Sequence, residues 1–226
     1  VIAEAAHLLG GPFDTVIDVG GNVGGFAAEA DDAWPLASVY SFEPVPELAA
    51  ANLERAAGRW QVYTLAISRA QGEAELRVCV NQHSASTMQP PGSARKEHFK
   101  IADKFDRITV PTASLDDLIP YVDGRLLVKI DVEGHEGAVL QGGHELLGLA
   151  ETVICEVQND PSVFVGAPRP HEVDARMFAA GLCFAGVAGA LLSPGSGGVL
   201  QFDGVWRRTL APSGDERLGI RPLHAV

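Results

Sequence analysis

At 226 residues, with 46% hydrophobic and 20% charged side chains, the chain is long enough to bury the core of one α/β domain and short for two. Its 29 acidic against 17 basic residues give a formal net charge of −12, which argues against nucleic acid or an anionic membrane as the main partner and favours a small ligand. The three cysteines are odd in number and lie far apart in apolar runs, so they imply neither a disulfide nor a zinc site and read as buried reduced thiols of a cytoplasmic protein.

No apolar run approaches the roughly 20 residues of a membrane helix, and the first residues lack the basic flank and apolar core of a secretion signal. Residues 1–10 are helix-prone, with Ile2, Ala5, Ala6 and Leu9 on one face, and Gly10-Gly11-Pro12 ends them. Val16–Val19 is an apolar strand running into four glycines, Gly20, Gly21, Gly24 and Gly25, after which Phe26–Ala33 reads as a helix stopped by Trp34-Pro35. Ser38–Phe42 is a second strand, Pro44 to about Ala57 a helix, and Trp60–Leu65 a third strand followed by Ala66-Ile-Ser68. Glu73–Val80 then alternates strictly, and Ile108–Ser114 is extended with Pro111 implying an edge position, so the two form an antiparallel insertion, about 73–114, with a long loop. Further on come a helical connector over Leu115–Ile119, a strand over Arg125–Asp131, a helix over Glu133–Gly143 and a strand over Thr152–Val157. The pattern closes with a helix over His171–Ala180 and two extended runs, Leu182–Val187 and Gly198–Trp206, joined by a Gly/Ser loop that predicts a hairpin.

Strands alternating with helices predict a single α/β domain over 1–226, a three-layer sandwich with a mostly parallel sheet and its ligand at the carboxyl ends of the strands. The first strand ends at Asp18-Val-Gly-Gly-Asn-Val-Gly24 and the second at Glu43, a carboxylate suited to accept both hydroxyls of an adenosine ribose. A dinucleotide loop, G-x-G-x-x-G, would need glycine where Asn22 stands, and Asp18 on the strand would repel pyrophosphate while suiting a cationic amino group and a sulfonium. An NAD-dependent oxidoreductase is thereby disfavoured, and a non-catalytic adenosyl-ligand sensor stays as a second alternative.

Four blocks carry a resemblance: Val16-Ile-Asp-Val-Gly-Gly-Asn-Val-Gly24, Ser41-Phe-Glu-Pro44, Leu127-Val-Lys-Ile-Asp-Val-Glu-Gly-His-Glu136 with Gly142-Gly143, and Ile154-Cys-Glu-Val157. Together, over roughly residues 14–158, they resemble the FkbM-type methyltransferases. The resemblance implies a class I, Rossmann-like, S-adenosylmethionine-dependent enzyme, in most cases an O-methyltransferase of sugar, lipid, polyketide or other natural-product hydroxyls. It further implies that Asp18, Gly20, Asn22 and Gly24 surround the methionine half of S-adenosylmethionine, that Glu43 holds the ribose, and that Ala66, Ile67 and Ser68 lie along the adenine. Ser84 and Ser86 resemble a serine pair of the family. Gly21 stands where the family often has alanine, a departure expected only to loosen the turn.

The fourth strand end carries Lys129, Asp131, Glu133, His135 and Glu136. Lys129 and Asp131 share a strand face, so the lysine is expected to pair with that carboxylate. Methyl transfer to a hydroxyl requires alignment with the sulfonium and a base for the proton. His135, with its reference pKa near neutrality, Asp131 and Glu133 are the candidates for that base, and Asp131 also borders the cofactor. Mg²⁺ held by Asp131, Glu133 and Glu156 is a third option. The loop Asn81–Arg107 has five basic residues (Arg95, Lys96, Lys100, Lys104, Arg107) against three acidic ones (Glu97, Asp103, Asp106), consistent with a lid over an anionic or carrier-linked acceptor or with a solvated charged loop. The sequence leaves the acceptor open, and homo-oligomers stay open with it.

Overall fold

The computed structural model describes residues 2–79, 86–90, 92, 105–160 and 162–208. Its main sheet has seven strands in the order β3 (Gln61–Tyr63), β2 (Ser38–Phe42), β1 (Thr15–Val19), β7 (Leu126–Ile130), β8 (Ala150–Gln158), β10 (Val199–Arg208), β9 (Leu182–Leu192). The first five are parallel, and β10 is antiparallel to both its neighbours. The hairpin thus slots its second strand between β8 and β9, so the mostly parallel sheet ends in the antiparallel hairpin that the Gly/Ser loop implied. The three central strands lie between two apolar layers, so β1 and β7 are buried at every position.

Alternation along these strands sorts the core. Ile17, Val19, Val128, Ile130, Val153 and Cys155 face one side, packed by α4 (Glu136–Gln141), α5 (His144–Leu149) and α6 (Pro170–Ala179). Val16, Leu127, Ile154 and Val205 face the other, packed by α1 (Ile2–Leu9) and α2 (Gly25–Ala33), while α3 (Pro46–Ala56) adds Ala56. Trp206 is the largest fully buried side chain, and its indole N–H donates to Asp174 Oδ1 at 2.8 Å. Cys79 and Cys155 are buried and Cys183 half-buried, all as free thiols.

The insertion is a separate three-stranded sheet, β4 (Ala66–Ser68), β6 (Phe105–Ser114), β5 (Gly72–Cys79). The antiparallel β5–β6 pair matches the alternation in the sequence, but β4 was not legible as a strand, and it makes β6 central instead of an edge. Pro111 is tolerated because β4 pairs only with Thr112–Ser114, so the β4 side of β6 is open where the proline sits. Two helices also differ from the sequence reading. The connector is a 3-10 helix, Asp116–Tyr121, that includes Pro120. The helix expected from Glu133 starts at Glu136, because Glu133 (φ 54) and Gly134 (φ 91) take left-handed backbone; it ends at Gln141, and α5 follows at once. Among the described residues, no helix is long and apolar enough to cross a membrane.

Candidate active site

The turn after β1 is pinned from the side, because Gly20 and Gly21 both donate their N–H to the Phe42 carbonyl at 3.0 Å. Gly20 has φ 81, and a Cβ there would lie 1.8 Å from the Asp131 carbonyl oxygen, so only glycine lets the end of β7 approach. A Cβ on Gly21 would lie 1.9 Å from Ser41 Oγ. Gly21 is therefore required by close packing in this chain, which corrects the expectation that it merely loosens the turn.

Beneath the turn runs a buried polar chain. Trp60 Nε1 donates to Asn52 Oδ1 (2.9 Å), Asn52 Nδ2 to Ser41 Oγ (3.0 Å) and Ser41 Oγ to Asp18 Oδ2 (3.0 Å). Lys129 Nζ continues it, 3.6 Å from Asp18 Oδ1 and 3.3 Å from Asp131 Oδ2. Burial pushes the Asp18 carboxyl up, against the pull of Lys129. Burial alone would lower the Lys129 ammonium, but Asp131 and Asp18 outweigh it and hold it above the ordinary lysine value. The pairing of Lys129 with Asp131 is as the strand spacing implied. Asn52, Ser41 and Trp60 escaped sequence reasoning, although an asparagine on the buried face of an amphipathic helix was a usable signal.

Above the turn lies a cavity of about 440 Å³, within the range of roughly 300–1,000 Å³ common to ligand sites. Gly20, Asn22, Glu43, Ala66, Ile67, Ser86 and Asp131 line it, as do Glu133 and His135, so most of the sequence-predicted site is brought together. Asp18 and Gly24 are not on its wall; Asp18 is fully buried one layer below. Glu43 is 6% exposed and accepts N–H from Asn22 at Oε2 (2.9 Å) and from Val45 at Oε1 (2.8 Å). Burial still holds its carboxyl above the usual carboxylate value, and those two bonds offset that push only in part. Each oxygen keeps a second lone pair, which is what a ribose diol needs.

The loop after β7 is held by Glu136, whose fully buried Oε1 accepts N–H from Val132 (3.2 Å) and Gly134 (3.1 Å). His135 is fixed on both ring nitrogens, by Ser68 Oγ at 2.9 Å on Nε2 and by the Gln89 amide at 3.3 Å on Nδ1. Since the Gln89 Nε2 amide donates, Nδ1 accepts and Nε2 carries the proton toward Ser68. Burial, with the Arg69 charge nearby, pushes the His135 pKa down to about 4, so its near-neutral titration, the reason for naming it a base, is absent here. Thr87 Oγ1 donates to the Glu133 carbonyl at 2.6 Å, and Val165 N–H to the Pro90 carbonyl at 2.9 Å. Ser86, Thr87 and Met88 line the cavity, and residues 86–90 thus form one rim of it.

A family model described as the methyltransferase FkbM domain matches residues 18–182. The chain belongs to the FkbM methyltransferase family. A curated relative, the 2-O-methyltransferase NoeI of Sinorhizobium fredii (strain NBRC 101917 / NGR234), is 28% identical over 172 residues, which covers 72% of this chain and 70% of NoeI. Among solved structures, the 1,6-didemethyltoxoflavin-N1-methyltransferase of Burkholderia thailandensis, crystallised with S-adenosylhomocysteine, is 16% identical with a TM-score of 0.48 over 92% of this chain and 75% of that one. The neocarzinostatin-biosynthesis O-methyltransferase NcsB1, also with S-adenosylhomocysteine bound, is 13% identical with a TM-score of 0.45 over 87% of this chain, which spans half of NcsB1's length.

The cofactor of this FkbM methyltransferase is S-adenosylmethionine, and the residues on the cavity wall suit it: a diol acceptor at Glu43, apolar Ala66 and Ile67, and a carboxylate at Asp131. Mg²⁺ is not supported. Glu156 does not join Asp131 and Glu133 on the cavity wall; its Oε2 accepts from Gln158 Nε2 at 2.8 Å and its Oε1 from the Gln201 amide. Among the described residues, no three His, Cys, Asp or Glu side chains are grouped to hold a metal ion. Ser84, Arg95, Lys96, Glu97, Lys100, Asp103 and Lys104 lie outside the described residues, while Arg107 pairs with Glu75 at 3.1 Å on the surface of the insertion.

Proposed function

We propose that this FkbM methyltransferase acts as a single domain that moves the methyl group of S-adenosylmethionine to a hydroxyl oxygen of a small molecule, with Glu133 as the proton acceptor. The observation that carries the reading is one cavity reaching from Glu43 at the end of β2 to Asp131 and Glu133 at the end of β7. Adenosine then sits toward β2 and the reacting sulfonium toward β7. Similarity to a 2-O-methyltransferase supports oxygen as the acceptor atom.

Glu133 is favoured as the base because it is a non-glycine residue held at φ 54 on the cavity wall. A left-handed residue of this kind costs on the order of 1 kcal/mol and persists where neighbours enforce it, here Glu136 and Thr87. The sulfonium is an activated donor, so the protein's tasks are alignment and removal of the hydroxyl proton as the O–C bond forms. His135 serves instead to tie the rim to the loop. The test is mass spectrometry of products from labelled S-adenosylmethionine with a panel of hydroxylated acceptors. Labelled methyl found on nitrogen or carbon would refute O-methylation, and binding without transfer to any acceptor would favour the sensor. With a working acceptor, Glu133→Gln is expected to lower kcat by about a hundredfold or more and His135→Ala by less than about tenfold; the reverse order would return the base to His135.

A further inference from the structure

Lys129 is an expensive residue for its place. It sits on a central parallel strand with its side chain 11% exposed, where an unpaired ammonium is strongly disfavoured. Three oxygens surround its Nζ: Asp18 Oδ1 at 3.6 Å, Asp131 Oδ2 at 3.3 Å and the Gly20 carbonyl at 3.5 Å. Two carboxylates and one ammonium leave one net negative charge on this cluster. Asp18 is fully buried and hydrogen-bonded to Ser41, whereas the Asp131 side chain is 35% exposed and lines the cavity. The surplus charge is therefore presented to the cavity at Asp131.

We propose that Lys129 is a positioning residue that fixes the Asp131 carboxylate as the receptor for the α-ammonium group of S-adenosylmethionine. The lysine has two tasks in this arrangement. It cancels Asp18, so the cavity floor does not carry two repelling carboxylates. It also tethers Asp131 from below by one oxygen, so the cofactor meets an oriented acceptor instead of a freely rotating side chain. The contact with the Gly20 carbonyl joins the β1 turn to the same point, which makes turn and carboxylate one rigid unit. A countercharge for Asp18 alone would have the first task and not the second.

This inference rests on the reading of the cavity as the cofactor site, and two probes separate the two. S-adenosylhomocysteine carries the amino acid group; 5′-methylthioadenosine has the same adenosine end without it. Calorimetric titration of both ligands is made on wild type, Lys129→Met and Asp18→Asn/Lys129→Met, the double variant removing the buried charge that Lys129→Met alone would strand. The double variant is expected to recover the wild-type Tm to within about 5 °C. It is also expected to bind S-adenosylhomocysteine roughly tenfold or more weakly than wild type, with 5′-methylthioadenosine changed by less than about threefold. Near wild-type S-adenosylhomocysteine affinity in the double variant would reduce the lysine to a countercharge and overturn the proposal, as would equal weakening of both ligands. Wild type binding neither ligand would sink the cofactor-site reading itself.

Discussion

Replacing Glu136 by Gln is expected to flatten the pH dependence of stability and to stabilise the protein at neutral pH. The Glu136 carboxyl is fully buried, and burial pushes its pKa from 4.5 up to about 7, only partly offset by the N–H groups of Gly134 and Val132. A carboxyl raised on folding holds more protons in the folded than in the unfolded chain between those two pH values. Stability therefore falls as pH rises through that window, and the whole penalty is present above it. At about 1.4 kcal/mol for each pH unit between the two values, the penalty reaches roughly 3 kcal/mol. Gln keeps a carbonyl oxygen for the two N–H donors and has nothing to ionise. Urea denaturation of wild type and E136Q at pH 5 and pH 8 measures the effect as a difference of differences, in which any fixed cost of the buried amide cancels. Glu156, raised by burial and pushed further up by the Glu136 charge, is relieved in the variant and moves the result in the same direction. The variant should gain on wild type by roughly 2.5 kcal/mol between the two, because part of the penalty is already present at pH 5. An unchanged gap would mean that Glu136 is not held at a raised pKa, and would remove the argument that burial dominates its two hydrogen bonds.

Two further substitutions test the cavity walls. Glu43→Ala deletes the only carboxylate at the end of β2, and S-adenosylhomocysteine binding by calorimetry should weaken roughly ten- to a hundredfold, the worth of one or two charge-assisted hydrogen bonds; an unchanged Kd would move the ribose elsewhere. Gly21→Ala places a methyl group 1.9 Å from Ser41 Oγ, which should cost about 1–3 kcal/mol by overpacking and disturb the Ser41–Asp18 bond. A loss below about 0.5 kcal/mol in chemical denaturation would show that Ser41 rotates away without consequence.

How much of this was legible in the sequence depended on how local the cause was. The strand over 38–42 was read to the residue, because its apolar run is bounded by Pro35 on one side and Glu43-Pro44 on the other. β4 was missed because three residues, Ala66–Ser68, carry no period of their own; the pairing with Thr112–Ser114 makes them a strand. The helix from Glu133 was misplaced for a similar reason. Apolar spacing favours a helix there, but Glu136 turns back to bind Val132 and Gly134, and that contact forces the left-handed turn. At the site, residue types and strand ends were enough to gather Glu43, Asp131, Glu133 and His135 around one cavity. What they could not convey was depth: Asp18 lies behind Lys129 instead of on the wall, and His135 is enclosed between Ser68 and Gln89, partners that lie 67 and 46 residues away.

The rim formed by residues 86–90 ties the insertion to the loop that carries the proposed base. The glycine turn below is held by the Phe42 carbonyl and by the buried polar chain. The rim is held from two sides: Thr87 and Arg77 of β5 exchange backbone hydrogen bonds of 3.0 Å and the Arg77 guanidinium donates to the Met88 carbonyl at 2.8 Å, while Thr87 Oγ1 donates to the Glu133 carbonyl, the Gln89 amide to His135 and Val165 N–H to the Pro90 carbonyl. Two of these end on the loop that carries Glu133. Insertion, rim and catalytic loop are consequently one hydrogen-bonded unit, so a change in the insertion would be felt at the backbone of the proposed base.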